Sequence, residues 1–398
     1  MNQTLDLTSK ISQRSLVTPP SFIRSILKAK EDDSIISFAG GLPNPISFPN
    51  EAIKESTNRV IDTYGAKVFQ YASTAGLLSL RELIANRLNG LYDIDVNAEE
   101  IIMTTGSQQA LDLIGKVLIN KGDAVIVEQP GYLGALQAFS QYEPQFLPIP
   151  LEEDGMNLEK LEEALREHKV KYAYIVPNYQ NPSGITYSDE KRKQVLELIR
   201  KYDCILVEDD PYGELSFSGK PKGYISGKDL NASILMGTFS KTVTPGMRLG
   251  YMIIRDEKLR KYINTAKEAA DLHSNIFSQY IIWDYLEHND LEEHIEKIKN
   301  LYKEQCQTML GAMEKYFPKE VRYTKPTGGM FIWATLREGE SALALFEKAK
   351  EQKVVFVPGN PFYTDGRQAN TMRLNYTNSS NERIEEGIMK LGRLLNGQ

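Results

Sequence analysis

Four short β-rich runs, each ending in a polar or glycine-rich turn, constrain this chain more than any other feature. They are DAVIVE at 123–128, YAYIVP at 172–177, CILVEDD at 204–210 and SILMGTF at 233–239. Helical patterns separate most of them. Between the second and third, SDEKRKQVLELIRKY opens with the capping candidate Ser188 and carries Val195, Leu196 and Ile199 at helical spacing. Strand, helix, strand in succession predicts an α/β fold, a mostly parallel sheet flanked by helices. One strand breaks the rule. GYMII at 250–254 follows SILMGTF too soon to house a crossover helix, and parallel neighbours need about a dozen connecting residues or more. That strand is predicted antiparallel, and the sheet mixed.

A chain of 398 residues exceeds the size at which one core keeps growing, so a large domain and a smaller one are expected. Apolar residues at Leu291, Ile295, Ile298, Tyr302, Met309, Met313 and Phe317 form the stripe of a long helix that leads into the smaller domain. MFIWATL, VVFVPG and TMRLNY would supply its strands. The expected division is 48–290 for the large domain, with 1–47 and 291–398 forming a small α+β domain. A net charge of −6 offers no general attraction to nucleic acid or an anionic membrane, so any anion site must be local. Cys204 and Cys306 lack metal-ligand spacing and read as reduced packing thiols, and His168, His273, His288 and His294 do not cluster with carboxylates or cysteines. No metal is expected. No stretch approaches the roughly 18 apolar residues a membrane span requires, and the N-terminus lacks a signal-like apolar core. The expectation is a cytoplasmic protein with neither membrane nor nucleic-acid partners.

Lys241, in TFSKTVTPGMRLGY, closes a strand-like run and precedes a glycine-containing turn and Arg248. Such a lysine can hold an aldehyde cofactor as an imine if burial or a neighbouring cation lowers its pKa from about 10.4. A solvated loop lysine is the ordinary alternative. Asp209 and Tyr212, in VEDDPYGEL, stand at the carboxyl edge of the sheet, where ligands bind in α/β folds, although an acidic turn ending at Pro211 explains them too. Asn181 and Gly184 in NPSG are equally at home in a plain turn. TTGSQQALDLIGKVL runs directly into a helix, where Ser107 and Gln108 offer a hydroxyl and an amide to a phosphate, or Ser107 an ordinary cap.

Together, in order and spacing, these motifs resemble the fold type I pyridoxal-phosphate enzymes, specifically class I/II aminotransferases of the aminoadipate and kynurenine aminotransferase branch. The blocks are SFAGGLPNPISFP, FQYASTAGLLSLRELI, TTGSQQALDLI, VEDDPY, TFSKTVTPGMRLGY and MRLNY, with IRSILK upstream. The resemblance implies pyridoxal 5'-phosphate held as an imine by Lys241, which then shuttles a proton as base and acid. It implies Asp209 on the pyridine nitrogen, Tyr212 and Asn181 on the ring's phenolic oxygen, and Tyr132 stacked on the ring. Ser107, Gln108, Thr238 and Arg248 would hold the phosphate, Thr238 standing where serine is more usual. Tyr71 would reach the phosphate of a neighbouring subunit, making the protein a homodimer with shared sites.

The same resemblance gives Arg373, helped by Asn181, the substrate's α-carboxylate. Gly40 and Gly41 would let the backbone approach the substrate, and Arg24 would read a distal carboxylate or simply be solvated. The implied reaction carries the amino group of a 2-aminoadipate-like, aromatic, branched or large apolar L-amino acid to 2-oxoglutarate by a ping-pong route. Two other readings share the cradle: a C–S lyase, and a non-catalytic effector-sensing domain. The second is disfavoured by the acidic chain and by the roughly 35 residues ahead of SFAGGLP, too few for a DNA-binding domain.

Overall fold

The computed structural model describes residues 7–17 and 34–397. Its centre is an eight-stranded sheet built from β2 (Ile101–Thr104), β3 (Ala124–Gln129), β4 (Gln145–Glu152), β5 (Gly155–Met156), β6 (Val170–Ile175), β7 (Ile205–Asp209), β8 (Ser233–Thr238) and β9 (Gly250–Ile254). The spatial order is β2-β9-β8-β7-β6-β3-β4-β5. The pairs β8/β7, β7/β6, β6/β3 and β3/β4 run parallel, while β9 is antiparallel to both β2 and β8. The mixed sheet expected from the short 239–249 connection is therefore present.

Side-chain alternation along the strands feeds two cores. Val125, Val127, Tyr172, Tyr174 and Val207 face the helix Ser107–Leu118 and Phe139, whereas Ile126, Ala173, Ile175 and Leu206 face Leu161, Leu165, Val195, Leu196 and Ile199. The helix Asp189–Lys201 starts where its sequence says, since the Ser188 side chain accepts from Lys191 N. Removing that cap would cost about 1 kcal/mol, and truncating the fully buried Ile199 to alanine about 2–5 kcal/mol. β4 carries Pro148 and Pro150, which a fully paired strand would not tolerate. It tolerates them because β5 pairs with it only at Leu151 and Glu152.

A smaller antiparallel sheet has the order β10-β11-β14-β13, with β10 at Arg322–Tyr323, β11 at Phe331–Thr335, β13 at Val357–Pro358 and β14 at Thr371–Asn375. β1 (Ile36–Ser37) pairs parallel with β12 (Val354–Val355), so the N-terminal segment joins the C-terminal part by backbone hydrogen bonds. The helix Leu291–Tyr316 buries the predicted stripe, with Phe317 buried at its C-cap, and packs along the helix Asn381–Leu395. Among the described residues, no helix is long and apolar enough to cross a membrane.

Candidate active site

The carboxyl ends of the parallel strands open into a pocket of about 330 Å³ whose lining includes Gly41, Ser107, Asp209, Lys241, Arg248 and Arg373. At one end, β2 leads through Thr105 and Gly106 into the helix Ser107–Leu118. Gly106 holds φ at 73°, and a Cβ there would meet Arg248 Nη2 at 2.5 Å. Only glycine satisfies both the backbone and that close approach. Arg248 donates to the carbonyls of Pro245 and Thr105 at 3.3 and 3.4 Å. Ser107 Oγ is buried without a partner, and the first amides of its helix lack intrahelical acceptors. The Gln108 side chain donates to Gly134 O at 2.9 Å, so its backbone amide is what remains for an anion. The Thr238 hydroxyl lies 3.1 Å from Leu249 O and accepts from Ser240 N at 3.1 Å. It braces the turn that carries Lys241.

At the other end stands Asp209, last residue of β7 and 2% exposed. Oδ2 accepts from Tyr174 OH at 2.8 Å, while Oδ1 is buried and unpartnered. Burial pushes the carboxyl up to about 7, with the Tyr174 hydrogen bond pulling the other way. Tyr132 lines the same pocket. Gly134 makes room for its ring, since a Cβ at 134 would lie 2.6 Å from the phenol oxygen. Burial raises the Tyr132 phenol to about 12, and Tyr212 is raised too, by burial first.

Lys241 sits three residues past the end of β8, inside the 239–249 turn, and is partly buried. Nζ donates to Gly41 O at 2.9 Å. Burial, then Arg373, then Arg248 push its amine down to about 8. The expected depression is present, but Arg373 outranks Arg248 as the responsible cation. Arg373, on β14, is 1% exposed. It donates to Asn181 Oδ1 at 2.7 Å and to Ala39 O at 2.6 Å, and its Nε is buried without a partner. Its guanidinium lies 4.4 Å from the Phe331 ring centroid and 5.3 Å from that of Phe362. Burial lowers it to about 10, which leaves it a cation at neutral pH.

Thus Ser107, Gln108, Tyr132, Asn181, Asp209, Tyr212, Thr238, Lys241, Arg248, Arg373 and Gly41 converge on one pocket. Gly40 is buried but does not line it. Tyr71 lies elsewhere, 78% exposed, in a second cleft where its ring meets His273 edge-on. Arg24 falls outside the described residues. Sequence reading missed Ser240, which lines the pocket, and Tyr174, the donor to Asp209. Ser240 is the neighbour of a singled-out lysine, and Tyr174 passes for a core aromatic in a buried strand.

The sequence pattern of the family described as aminotransferase class I and II matches residues 44–391. Aromatic-amino-acid aminotransferase 1 of Thermococcus litoralis is 46% identical over 394 residues, 98% of this chain and 94% of that protein. The kynurenine aminotransferase of Pyrococcus horikoshii, solved in complex with PMP, KYN as substrates and KYA as products, superposes with a TM-score of 0.94 at 44% identity, covering 98% of both chains. The α-aminoadipate aminotransferase of Thermus thermophilus, complexed with N-(5'-phosphopyridoxyl)-L-leucine, does so with a TM-score of 0.92 at 38% identity, covering 99% of each. Since the matched stretch takes in every strand of the central sheet and all the pocket's cations, this chain belongs to the class I and II aminotransferase family.

Proposed function

We propose that this protein is a pyridoxal-phosphate-dependent aminotransferase that moves the amino group of a 2-aminoadipate-like, aromatic, branched or large apolar L-amino acid to 2-oxoglutarate in a two-half, ping-pong reaction. One observation carries the reading. A lysine amine pushed down to about 8 shares a 330 Å³ pocket with two guanidiniums and an unpartnered buried carboxylate oxygen. The donor class follows the substrates named for the similar proteins.

The unpartnered atoms fit the cofactor. Ser107 Oγ, with the Gln108 amide, Thr238 and Arg248, suits a phosphate, and the glycine cradle at 106 keeps Arg248 close. Asp209 Oδ1 suits a cationic ring N–H, Tyr132 a ring face, and Tyr212 with Asn181 a phenolic oxygen. Lys241 would hold the aldehyde carbon covalently. When bound, pyridoxal phosphate supplies the electron sink for the charge left on the substrate Cα.

Arg373 offers its free Nε and two engaged amines to the substrate carboxylate, with Asn181 beside it, which orients Cα toward Lys241. Once the substrate's amino group has displaced it from the aldehyde carbon, the freed Lys241 amine would take the proton from Cα. A pKa near 8 leaves a useful neutral fraction at physiological pH, which an ordinary lysine lacks. Gly41, which lines the pocket, would keep the backbone beside the substrate free of a side chain. Arg24 would read a distal carboxylate, and Tyr71 of the partner subunit would complete the phosphate site of a cytoplasmic homodimer. The large domain would span 48–290, and the small one 1–47 with 291–398.

A donor panel with 2-oxoglutarate tests the reaction. Equimolar 2-oxo acid and glutamate are expected, with no product when the acceptor is omitted beyond a single turnover. Sustained release of pyruvate and ammonia without an acceptor would sink the proposal in favour of a lyase.

A further inference from the structure

Glu128, the penultimate residue of β3, is a second buried carboxyl at this edge of the sheet, outside the lining of the pocket. It is 2% exposed, and among the described residues no cation pairs with it. Three donors converge on it: Val176 N at 3.2 Å and Tyr187 OH at 2.8 Å on Oε1, and Gln180 Nε2 at 3.0 Å on Oε2. Burial pushes the carboxyl up to about 8, against the pull of these donors. A carboxyl buried without a counter-ion is a costly way to fill a core, and an apolar residue of the same volume would serve stability better.

Its hydrogen bonds lead to Arg373 by two routes. Gln180 is the hub of the turn that carries Asn181: its N–H donates to Ile185 O at 2.9 Å, its carbonyl accepts from Gly184 N at 2.6 Å, and its Oε1 accepts from Ser183 N at 2.8 Å. The next residue, Asn181, accepts from Arg373 at 2.7 Å. Gln180 Nε2 also donates to Pro130 O at 2.9 Å, and the following Gly131 N donates to Phe362 O at 2.9 Å. Phe362 is one of the two rings flanking the Arg373 guanidinium.

We propose that Glu128 is a positioning residue for recognition of the substrate carboxylate, acting through Gln180 to fix Asn181 and the Phe362 side of Arg373. The proposal rests on the assignment of Arg373 and Asn181 to the substrate carboxylate. Ionised above about pH 8, Glu128 accepts from all three donors with its two oxygens; in Glu128→Gln the side-chain amide must face either Gln180 Nε2 or the pair formed by Val176 N and Tyr187 OH.

At pH 9, where Glu128 is ionised, Glu128→Gln in the holoenzyme is expected to raise KM for the amino donor about tenfold or more with kcat little changed, and to weaken binding of the unreactive carboxylate 3-phenylpropanoate, read by calorimetry, to the same degree. Gln180→Met should reproduce both shifts, and the double variant should be no worse than the worse single one. Tyr187→Phe, which removes a donor to the other oxygen, should lower the melting temperature and leave KM unchanged. The proposal is overturned if Glu128→Gln and Gln180→Met lower only the melting temperature, if their effects add, or if Tyr187→Phe moves KM as much as they do. Arg373→Ala separates this from the underlying assignment: an unchanged KM there removes the carboxylate site itself, whatever Glu128 does.

Discussion

Lys241 Nζ donates to the carbonyl of Gly41 at 2.9 Å, so the amine in the 239–249 turn is tethered to the N-terminal segment that runs on from β1. The same segment meets Arg373, whose guanidinium donates to Ala39 O at 2.6 Å. The Lys241 amine and the Arg373 guanidinium therefore share one stretch of backbone, residues 39–41, as a common reference.

Lys241→Ala should abolish transamination while leaving the fold intact, as judged by circular dichroism. In the cofactor-free protein it should also be stabilising. The folded amine titrates near 8 against a reference of 10.5, so the wild type carries a penalty that is complete below pH 8 and disappears as pH rises through 10.5. For a partly buried ammonium this amounts to about 1–3 kcal/mol. Urea unfolding at pH 7 and pH 10 should show the variant's advantage shrinking at the higher pH.

Asp209→Asn should remove activity and stabilise the cofactor-free protein with the opposite pH dependence. The carboxyl titrates near 7 when folded and near 3.8 otherwise, so its penalty is absent below pH 4, grows across that window and is complete above pH 7. Asparagine keeps an acceptor for Tyr174. The gain at pH 8 should reach about 2–4 kcal/mol and be nearly absent at pH 4. A gain independent of pH would contradict the cause given for the shift.

Arg373→Ala should raise KM for every amino donor, apolar and acidic alike, by about 100-fold or more, since it deletes a buried charge-assisted pairing. Asn181 Oδ1 and Ala39 O would lose their donor, so a fall in melting temperature should accompany it. Steady-state kinetics across a donor panel reads the first effect, and calorimetry the second.

Gly106→Ala should weaken cofactor binding. An alanine Cβ would sit 2.5 Å from Arg248 Nη2, and φ at 73° disfavours any L side chain. Titration of the cofactor-free protein with pyridoxal phosphate should give a dissociation constant about 10–100-fold higher, from about 1–3 kcal/mol of displaced guanidinium and backbone strain.

Tyr71 is 78% exposed and lies outside the pocket of its own subunit. If it completes a neighbour's site, Lys241→Ala and Tyr71→Ala should each lack activity alone and recover about a quarter of wild-type turnover after mixing and subunit exchange, because each hybrid dimer holds one intact site. No recovery, with hybrid dimers present by native mass spectrometry, would remove the shared-site reading.

Much of this arrangement was legible from local pattern. The short gap before GYMII gave the antiparallel β9, Ser188 gave a helix start, and the small polar residues ahead of an apolar helix marked Ser107 and Gln108, which line the pocket. What stayed hidden depends on long-range pairing. Ile36 meets Val354 across most of the chain, and no local periodicity encodes that register. Arg373 lies in the strand-like TMRLNY, far along the chain from Lys241, so its dominance over Arg248 in depressing Lys241 emerges only once β14 is brought to the pocket. Glu128 and Tyr174 end or occupy buried strands, where a carboxylate reads as a turn boundary and a tyrosine as core; their partners come from neighbouring strands.

The antiparallel course of β9 has a further consequence. Because the chain turns straight back after β8, a single loop of residues 239–249 presents both Lys241 and Arg248 at the same rim of the sheet, beside the turn that follows β2. A crossover helix in its place would have sent the two cations to opposite rims. The loop thus works as a ruler: the interval between the Lys241 amine and the Arg248 guanidinium is set by how many residues bridge one hairpin. Adding or deleting one residue there would shift one cation against the other without disturbing a strand, a way to lose the chemistry while keeping the architecture.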